Sequence, residues 1–167
     1  LKKNGFRYLQ FIPCLDPLEV AGNSDTALTP ERYAYFLKEL FDLWYADLMR
    51  GDRISIRDFE NWVGMCAGRR PESCGMSGTC SCQFVVEADG SVFPCDFYVL
   101  DRYRMGNIVD DGFAELAASE PARRFIEESL SVDEACRACE WYPICRGGCR
   151  RYREPFVEGR PGLNRFC

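Results

Sequence analysis

Histidine is absent from the 167 residues. That removes Ser-His-Asp and Cys-His catalysis, imidazole metal ligands and histidine pH switches together. No run of about 18 apolar residues occurs, so the sequence offers no membrane-spanning helix. No Asn-x-Ser/Thr sequon occurs either. Basic residues are outnumbered: 21 Lys and Arg against 26 Asp and Glu leave a net charge of −5. Such a balance matches a phosphate backbone poorly and argues against nucleic acid as the main partner. The start, Leu1-Lys2-Lys3-Asn4-Gly5, carries no apolar segment of the signal-peptide kind and no initiating Met. We therefore expect a fragment without a secretory leader.

Cysteine is what the sequence has in excess. The 11 residues are Cys14, Cys66, Cys74, Cys80, Cys82, Cys95, Cys136, Cys139, Cys145, Cys149 and Cys167. A disulfide scaffold fits an odd count badly, and a chain with 47% apolar residues can build a core without staples. Crowded thiols in a reducing compartment more often hold metal. Structural zinc and iron–sulfur clusters both accept four thiolates, so spacing alone leaves these two open. Cys136, Cys139, Cys145 and Cys149 fall within 14 residues, and Cys74, Cys80, Cys82 and Cys95 form an earlier group. Eight thiolates would serve two four-ligand sites and leave three cysteines over.

Periodicity places these groups on a scaffold. Residues 6–13 are β-rich and predict a buried strand, ended at Asp16-Pro17. A polar loop is expected over 19–28. Thr29-Pro30 then reads as N-cap and first helical position. Tyr33, Phe36, Leu37, Leu40, Phe41, Trp44 and Leu48 recur at threes and fours, which predicts an amphipathic helix to about residue 49, ended at Gly51. The aromatic stripe is read as core packing rather than a cofactor box. Residues 56–63 predict a second short helix. Composition turns to Gly and Cys at Gly64. Residues 83–95 read as a hairpin, with Phe84-Val85-Val86, a turn at Asp89-Gly90, and Val92-Phe93 returning. Two helices are expected over 112–118 and 121–130, separated by Pro121. The last 32 residues have little periodicity and no apolar core of their own, so something must staple them.

The block Cys74-Gly-Met-Ser-Gly-Thr-Cys80, followed by Gln83 through Val85-Val86, Asp89-Gly90, Pro94-Cys95-Asp96, closely resembles the anaerobic sulfatase-maturating enzymes. The tail, with Cys136-x2-Cys139-x5-Cys145-x3-Cys149 and a closing Cys167, resembles the rest of the same module. That module is the SPASM domain, the auxiliary-cluster extension of radical S-adenosylmethionine peptide-modifying enzymes. Phe11-Ile12-Pro13-Cys14-Leu15-Asp16 also resembles a segment at the C-terminal side of the family's barrel.

The resemblance implies an α/β chain: residues 1–64 as the last strand and helices of a partial radical SAM (β/α)6-type barrel, and residues 65–167 as a small α+β SPASM domain with a β-hairpin. It implies two auxiliary [4Fe–4S] clusters with interleaved ligands. Cys74, Cys80, Cys95 and Cys149 match the first set; Cys136, Cys139, Cys145 and Cys167 match the second. Cys14, Cys66 and Cys82 are left as non-ligands, expected to be buried thiols that act as small hydrophobes. Asp96 matches the family's general base for oxidising a Cys or Ser of a sulfatase to Cα-formylglycine. The complete enzyme would add a third [4Fe–4S] cluster, S-adenosylmethionine, a sulfatase polypeptide as substrate and an electron donor such as ferredoxin or flavodoxin, in the cytoplasm.

The Cys-x3-Cys-x2-Cys motif of such enzymes does not occur. The only Cys-x3-Cys, Cys145 to Cys149, is followed three residues on by Tyr152. The chain alone is therefore expected to be inactive. Another SPASM peptide maturase and a zinc-stapled binding module are the alternatives. Arg150, Arg151 and Arg153 are read as pairing with carboxylates or helix ends rather than nucleic acid. Asp16 is a candidate for a substrate arginine, with a solvated surface charge as the plainer reading. Arg146-Gly147-Gly148 is expected to give the backbone the freedom that close approach to a cluster requires.

Overall fold

Thr29 opens the long helix in the way its side chain allows. Its Oγ1 accepts the backbone N–H of Arg32 at 3.3 Å, and Pro30 fills a first-turn position that has no N–H to satisfy. The computed structural model, which describes residues 1–18, 28–156 and 159–167, places helix α1 over Pro30–Met49. The loop expected over 19–28 lies outside the described residues except for Leu28.

Leu37, Leu40 and Trp44 on α1 pack on Ile54, Ile56 and Phe59. The stripe is thus core, and the Trp44 indole N–H is satisfied by the Ile54 carbonyl at 2.8 Å. Strand β1 (Tyr8–Leu9) pairs in parallel with β2 (Ser55–Ile56). Parallel strands need a crossover, and α1 supplies it. Helix α2 (Arg57–Cys66) follows directly. The strand expected over residues 6–13 is thus two residues long and largely exposed, with Tyr8 86% and Ile12 69% accessible. Among the described residues its one strand partner is β2, so no second neighbour covers its apolar side chains. The first residue of the helix expected over 56–63 is in fact β2.

Strands β3 (Val85–Val86) and β4 (Ser91–Phe93) are antiparallel, with Val86 opposite Val92. The connection runs over four residues, 87–90, with Gly90 N–H donating to the Glu87 carbonyl at 2.9 Å. Gly90 has φ +84°, a left-handed value suited to glycine. A third strand, β5 (Gly106–Asn107), pairs with β4. Helix α3 (Phe113–Ala118) leads through the capping Ser119 into α4 (Glu120–Leu130), and Pro121 sits inside the first turn of α4 rather than between helices. Val92, Met105, Leu116 and Ala122 form the core beneath this sheet.

The tail is built from short pieces: α5 (Glu134–Arg137), α6 (Tyr142–Cys145) and a 3-10 turn over Arg150–Arg153. Among the described residues no helix is long and apolar enough to cross a membrane.

Candidate metal centre

Cys74 begins a 3-10 turn (Cys74–Met76), where its carbonyl accepts the Ser77 N–H at 3.1 Å. Gly78 then turns left-handed, at φ +76°. A Cβ there would stand 2.6 Å from the Arg146 carbonyl oxygen, so the loop is pressed against the tail where a side chain would not fit. Cys80 is anchored by its own N–H, which donates to Ser129 Oγ on α4 at 2.9 Å. Cys95 follows β4, beside the aromatic core of Tyr98, Tyr103 and Phe125 that also receives Cys80. Cys149 caps the Arg150–Arg153 turn, and its Cβ lies 3.6 Å from where a side chain on Gly75 would begin.

These four thiols feel one another. Burial pushes the Cys80 thiol up and Cys74 adds to this, while the Ser129 hydroxyl, Arg150 and Arg153 oppose it. Burial pushes Cys149 up to about 11, again with contributions from Cys80 and Cys74. Burial pushes Cys95 up to about 12, helped by Asp96 and Cys149.

A second group forms in the tail. Burial, Asp133, Cys145 and Cys167 raise the Cys136 thiol. Cys139 lies one turn on, its N–H donating to the Cys136 carbonyl at 3.2 Å, with its own thiol exposed. Cys145 ends α6, and Arg146, Gly147 and Gly148 follow with φ of +53°, +80° and +69°. That left-handed run reverses the chain so that Cys149 leaves the second group and meets the first. Asn164 ties down the chain end by donating from Nδ2 to the Gly147 carbonyl at 3.2 Å and accepting the Cys167 N–H on its own carbonyl at 2.8 Å.

Among the described residues, no three Cys, Asp or Glu side chains converge closely enough to hold a single metal ion. A four-iron cluster asks for something else. Each thiolate binds its own iron, so the ligands surround a larger body. Cys74, Cys80, Cys95 and Cys149 offer the all-sulfur donor set that such a body takes. The chemistry of the donors also fits. Burial raises the thiols of Cys80, Cys95, Cys136 and Cys149, and metal binding is what would release their protons.

Asp96 is exposed beside this site. Its Oδ1 accepts the Phe97 N–H at 3.0 Å and the Cys95 thiol at 3.3 Å. Asp16, by contrast, is not a solvated charge. It is 9% exposed, its Oδ2 accepts from Arg165 at 3.3 Å, and its backbone carbonyl accepts from Arg151. Of the three cysteines outside both groups, Cys82 packs on the Val92 core as a small hydrophobe, whereas Cys14 and Cys66 are exposed rather than buried.

The three arginines of the tail are buried, each in its own way. Arg150 donates to Glu128 and to the Tyr103 hydroxyl, with its guanidinium 4.8–5.2 Å from the rings of Tyr98, Phe125 and Tyr103. Sequence reasoning missed Ser129 altogether. A lone serine near a helix end gives no signal that its hydroxyl will hold a cysteine loop from elsewhere in the chain.

Residues 74–140 match the SPASM family, described as an iron–sulfur cluster-binding domain. A cysteine-type anaerobic sulfatase-maturating enzyme of Clostridium novyi is 49% identical over 99% of this chain and 45% of its own length. The chain matches the C-terminal part of the anaerobic sulfatase-maturating enzymes. A serine-type enzyme of Bacteroides thetaiotaomicron is 30% identical over 86% of the chain and 35% of its own length. A solved structure of native anSMEcpe with bound AdoMet and Cp18Cys peptide superposes with a TM-score of 0.93 at 48% identity, covering 99% of this chain and 46% of that one. The chain thus spans about 45% of the length of its sulfatase-maturating relative. The SPASM match covers both Cys74 and Cys139 but stops short of Cys145, Cys149 and Cys167.

Proposed function

We propose that the chain is the auxiliary-cluster part of a radical S-adenosylmethionine enzyme that oxidises a cysteine of a sulfatase polypeptide to Cα-formylglycine. Likeness along almost the whole chain to a cysteine-type enzyme supports this reading, and the lower identity to a serine-type enzyme favours cysteine as the target. Residues 1–64 are taken as the end of the barrel and 65–167 as the SPASM domain, with the seam in the last turns of α2. Cleavage of S-adenosylmethionine, and the third cluster it needs, belong to a part of the enzyme outside these residues, because no Cys-x3-Cys-x2-Cys lies within them. A donor such as ferredoxin or flavodoxin and a cytoplasmic setting complete the proposal.

Cys74, Cys80, Cys95 and Cys149 would hold one [4Fe–4S] cluster, and Cys136, Cys139, Cys145 and Cys167 the other. When bound, such clusters supply a one-electron acceptor. The protein's own residues do the rest. A substrate cysteine that has lost a hydrogen atom from Cβ must still lose one proton and one electron to become a thioaldehyde. Water then gives the aldehyde and hydrogen sulfide. Asp96 takes that proton in this reading. The Phe97 N–H fixes its carboxylate, which faces solvent where a peptide can reach it. With no histidine in these residues, a carboxylate is the natural base.

The observation that carries the reading is the position of Asp96, an exposed carboxylate next to a half-buried cysteine of the first group. It sets a proton acceptor beside the ligands of an electron acceptor, which this oxidation requires. The test is Asp96→Asn in the full-length enzyme. S-adenosylmethionine cleavage and iron content should persist, while formylglycine formation falls by about 10²–10⁴-fold, the usual contribution of a general base. Formylglycine at the parental rate would remove Asp96 from the mechanism.

A further inference from the structure

Arg153 is 1% exposed and, among the described residues, heads the fully buried side chains by size. Its guanidinium is always charged and carries five N–H donors. Nη1 donates to the Ser131 carbonyl at 2.7 Å and Nη2 to the Ser129 carbonyl at 3.0 Å, both at the C-terminal end of α4. Its Nε is buried and has no hydrogen-bond partner among the described residues. Among the described residues no carboxylate comes within ion-pair distance of it. Arg150, three residues earlier, has Glu128 at 2.7 Å.

A buried cation held by neutral carbonyls alone is costly, so the fold should place an anion near it. Sulfur leads the groups that act on Arg153 in that sense, with Tyr98 behind it. Burial works against its charge, and Cys80 and Cys149 are the foremost influences that restore it. A shared anchor ties Arg153 to the Cys80 loop. Ser129 accepts the Cys80 N–H on its hydroxyl and an Arg153 N–H on its carbonyl, so one residue fixes both. Gly147 lies against the same guanidinium stem, with a Cβ position 3.6 Å from Arg153 Cδ.

We propose that Arg153 is the buried counter-charge of the Cys74, Cys80, Cys95 and Cys149 group, and that it raises the reduction potential of the iron–sulfur cluster held there. The inference rests on the ligand set proposed above. Reduction adds one negative charge to a cluster, and a fixed positive charge in a low-dielectric surrounding favours that state. Net charge and hydrogen bonds to sulfur are among the levers that set such potentials. A purely structural clamp on the end of α4 would need the planar fork of arginine. A counter-charge needs only the cation, which lysine also carries.

The test uses the full-length enzyme, reconstituted with iron and sulfide, as parent, Arg153→Met and Arg153→Lys. Redox titration follows the paramagnetic signal that Cys149→Ala abolishes. Arg153→Met should load iron fully and shift that potential down by about 59 mV, the one-electron equivalent of a tenfold change in the ratio of oxidised to reduced cluster. Arg153→Lys should stay near the parent. A parental potential in Arg153→Met overturns the inference and leaves the ligand set standing. If Arg153→Met loses the signal while Arg153→Lys keeps it at the parental potential, the charge is required and the inference holds. If both variants lose it alike, the fork is a clamp and the inference is wrong. A parent with no signal that depends on Cys149 removes the ligand set itself, and the inference with it.

Discussion

Cys149 lies against Gly75, its Cβ 3.6 Å from where a side chain on that glycine would begin. A tail cysteine thereby sits with Cys74 and Cys80, in a loop from the middle of the chain, rather than with its neighbours Cys136, Cys139 and Cys145. The left-handed run at residues 146–148 makes this possible, because it turns the chain out of the second group immediately before Cys149. In the proposed ligand sets the two groups are interleaved, so a cluster held by the first would tie the tail to the middle of the chain.

Ser129 is the hinge pin between α4 and the Cys80 loop. Its side chain is fully buried, accepts the Cys80 N–H at 2.9 Å and donates to the Ile126 carbonyl at 2.6 Å. Ser129→Ala leaves the Cys80 N–H without its partner, which costs about 1–3 kcal/mol. Thermal melting of the full-length enzyme should show a lower midpoint, with iron lost at lower temperature than from the parent.

Cys80 and Cys82 are two residues apart and should behave oppositely. Cys82 packs on Val92 and its neighbours, so Cys82→Ala should leave iron and sulfide content unchanged. Cys80→Ala should remove one cluster. Equal iron loss from both variants, measured by colorimetric iron analysis, would mean that the ligand register is wrong.

Glycines in the two cysteine loops differ in what they tolerate. Gly148 has φ +69°, and a Cβ there would collide with the Asn164 amide. The left-handed conformation alone costs an ordinary residue about 1–2 kcal/mol. Gly148→Ala should therefore destabilise the tail and reduce cluster loading. A Cβ on Gly75 meets Cys149 only at ordinary contact distance. Gly75→Ala should load normally, and iron content per chain compares the two.

Features that rest on local chemistry were legible in the sequence. Thr29 and Pro30 begin α1 where cap and first-turn preferences put the start, and the apolar period carries the helix to Met49. Pairings between distant segments were not. The apolar run at residues 6–13 shows no limit to its strand, because that limit is set by β2 reaching only Tyr8 and Leu9. Asp16 looks like any acidic loop residue until Arg165 and the Arg151 contact bury it. Arg150 pairs with a carboxylate and Arg153 with a helix end, as their sequence reading expects, but their burial was invisible, since the partners lie far upstream around the end of α4. The interleaved cysteine sets came from family resemblance. Spacing alone would have grouped Cys149 with Cys145.

That grouping is the most direct point at which to test the account. Iron and sulfide are measured per chain in the full-length enzyme, for the parent and for Cys149→Ala. If Cys149 completes the first set, about four irons are lost, and the spectroscopic signature that disappears is the one also lost in Cys80→Ala. If iron is unchanged, or if the signature lost is instead that of Cys136→Ala, Cys149 does not join the Cys74, Cys80 and Cys95 group and the interleaved arrangement is wrong.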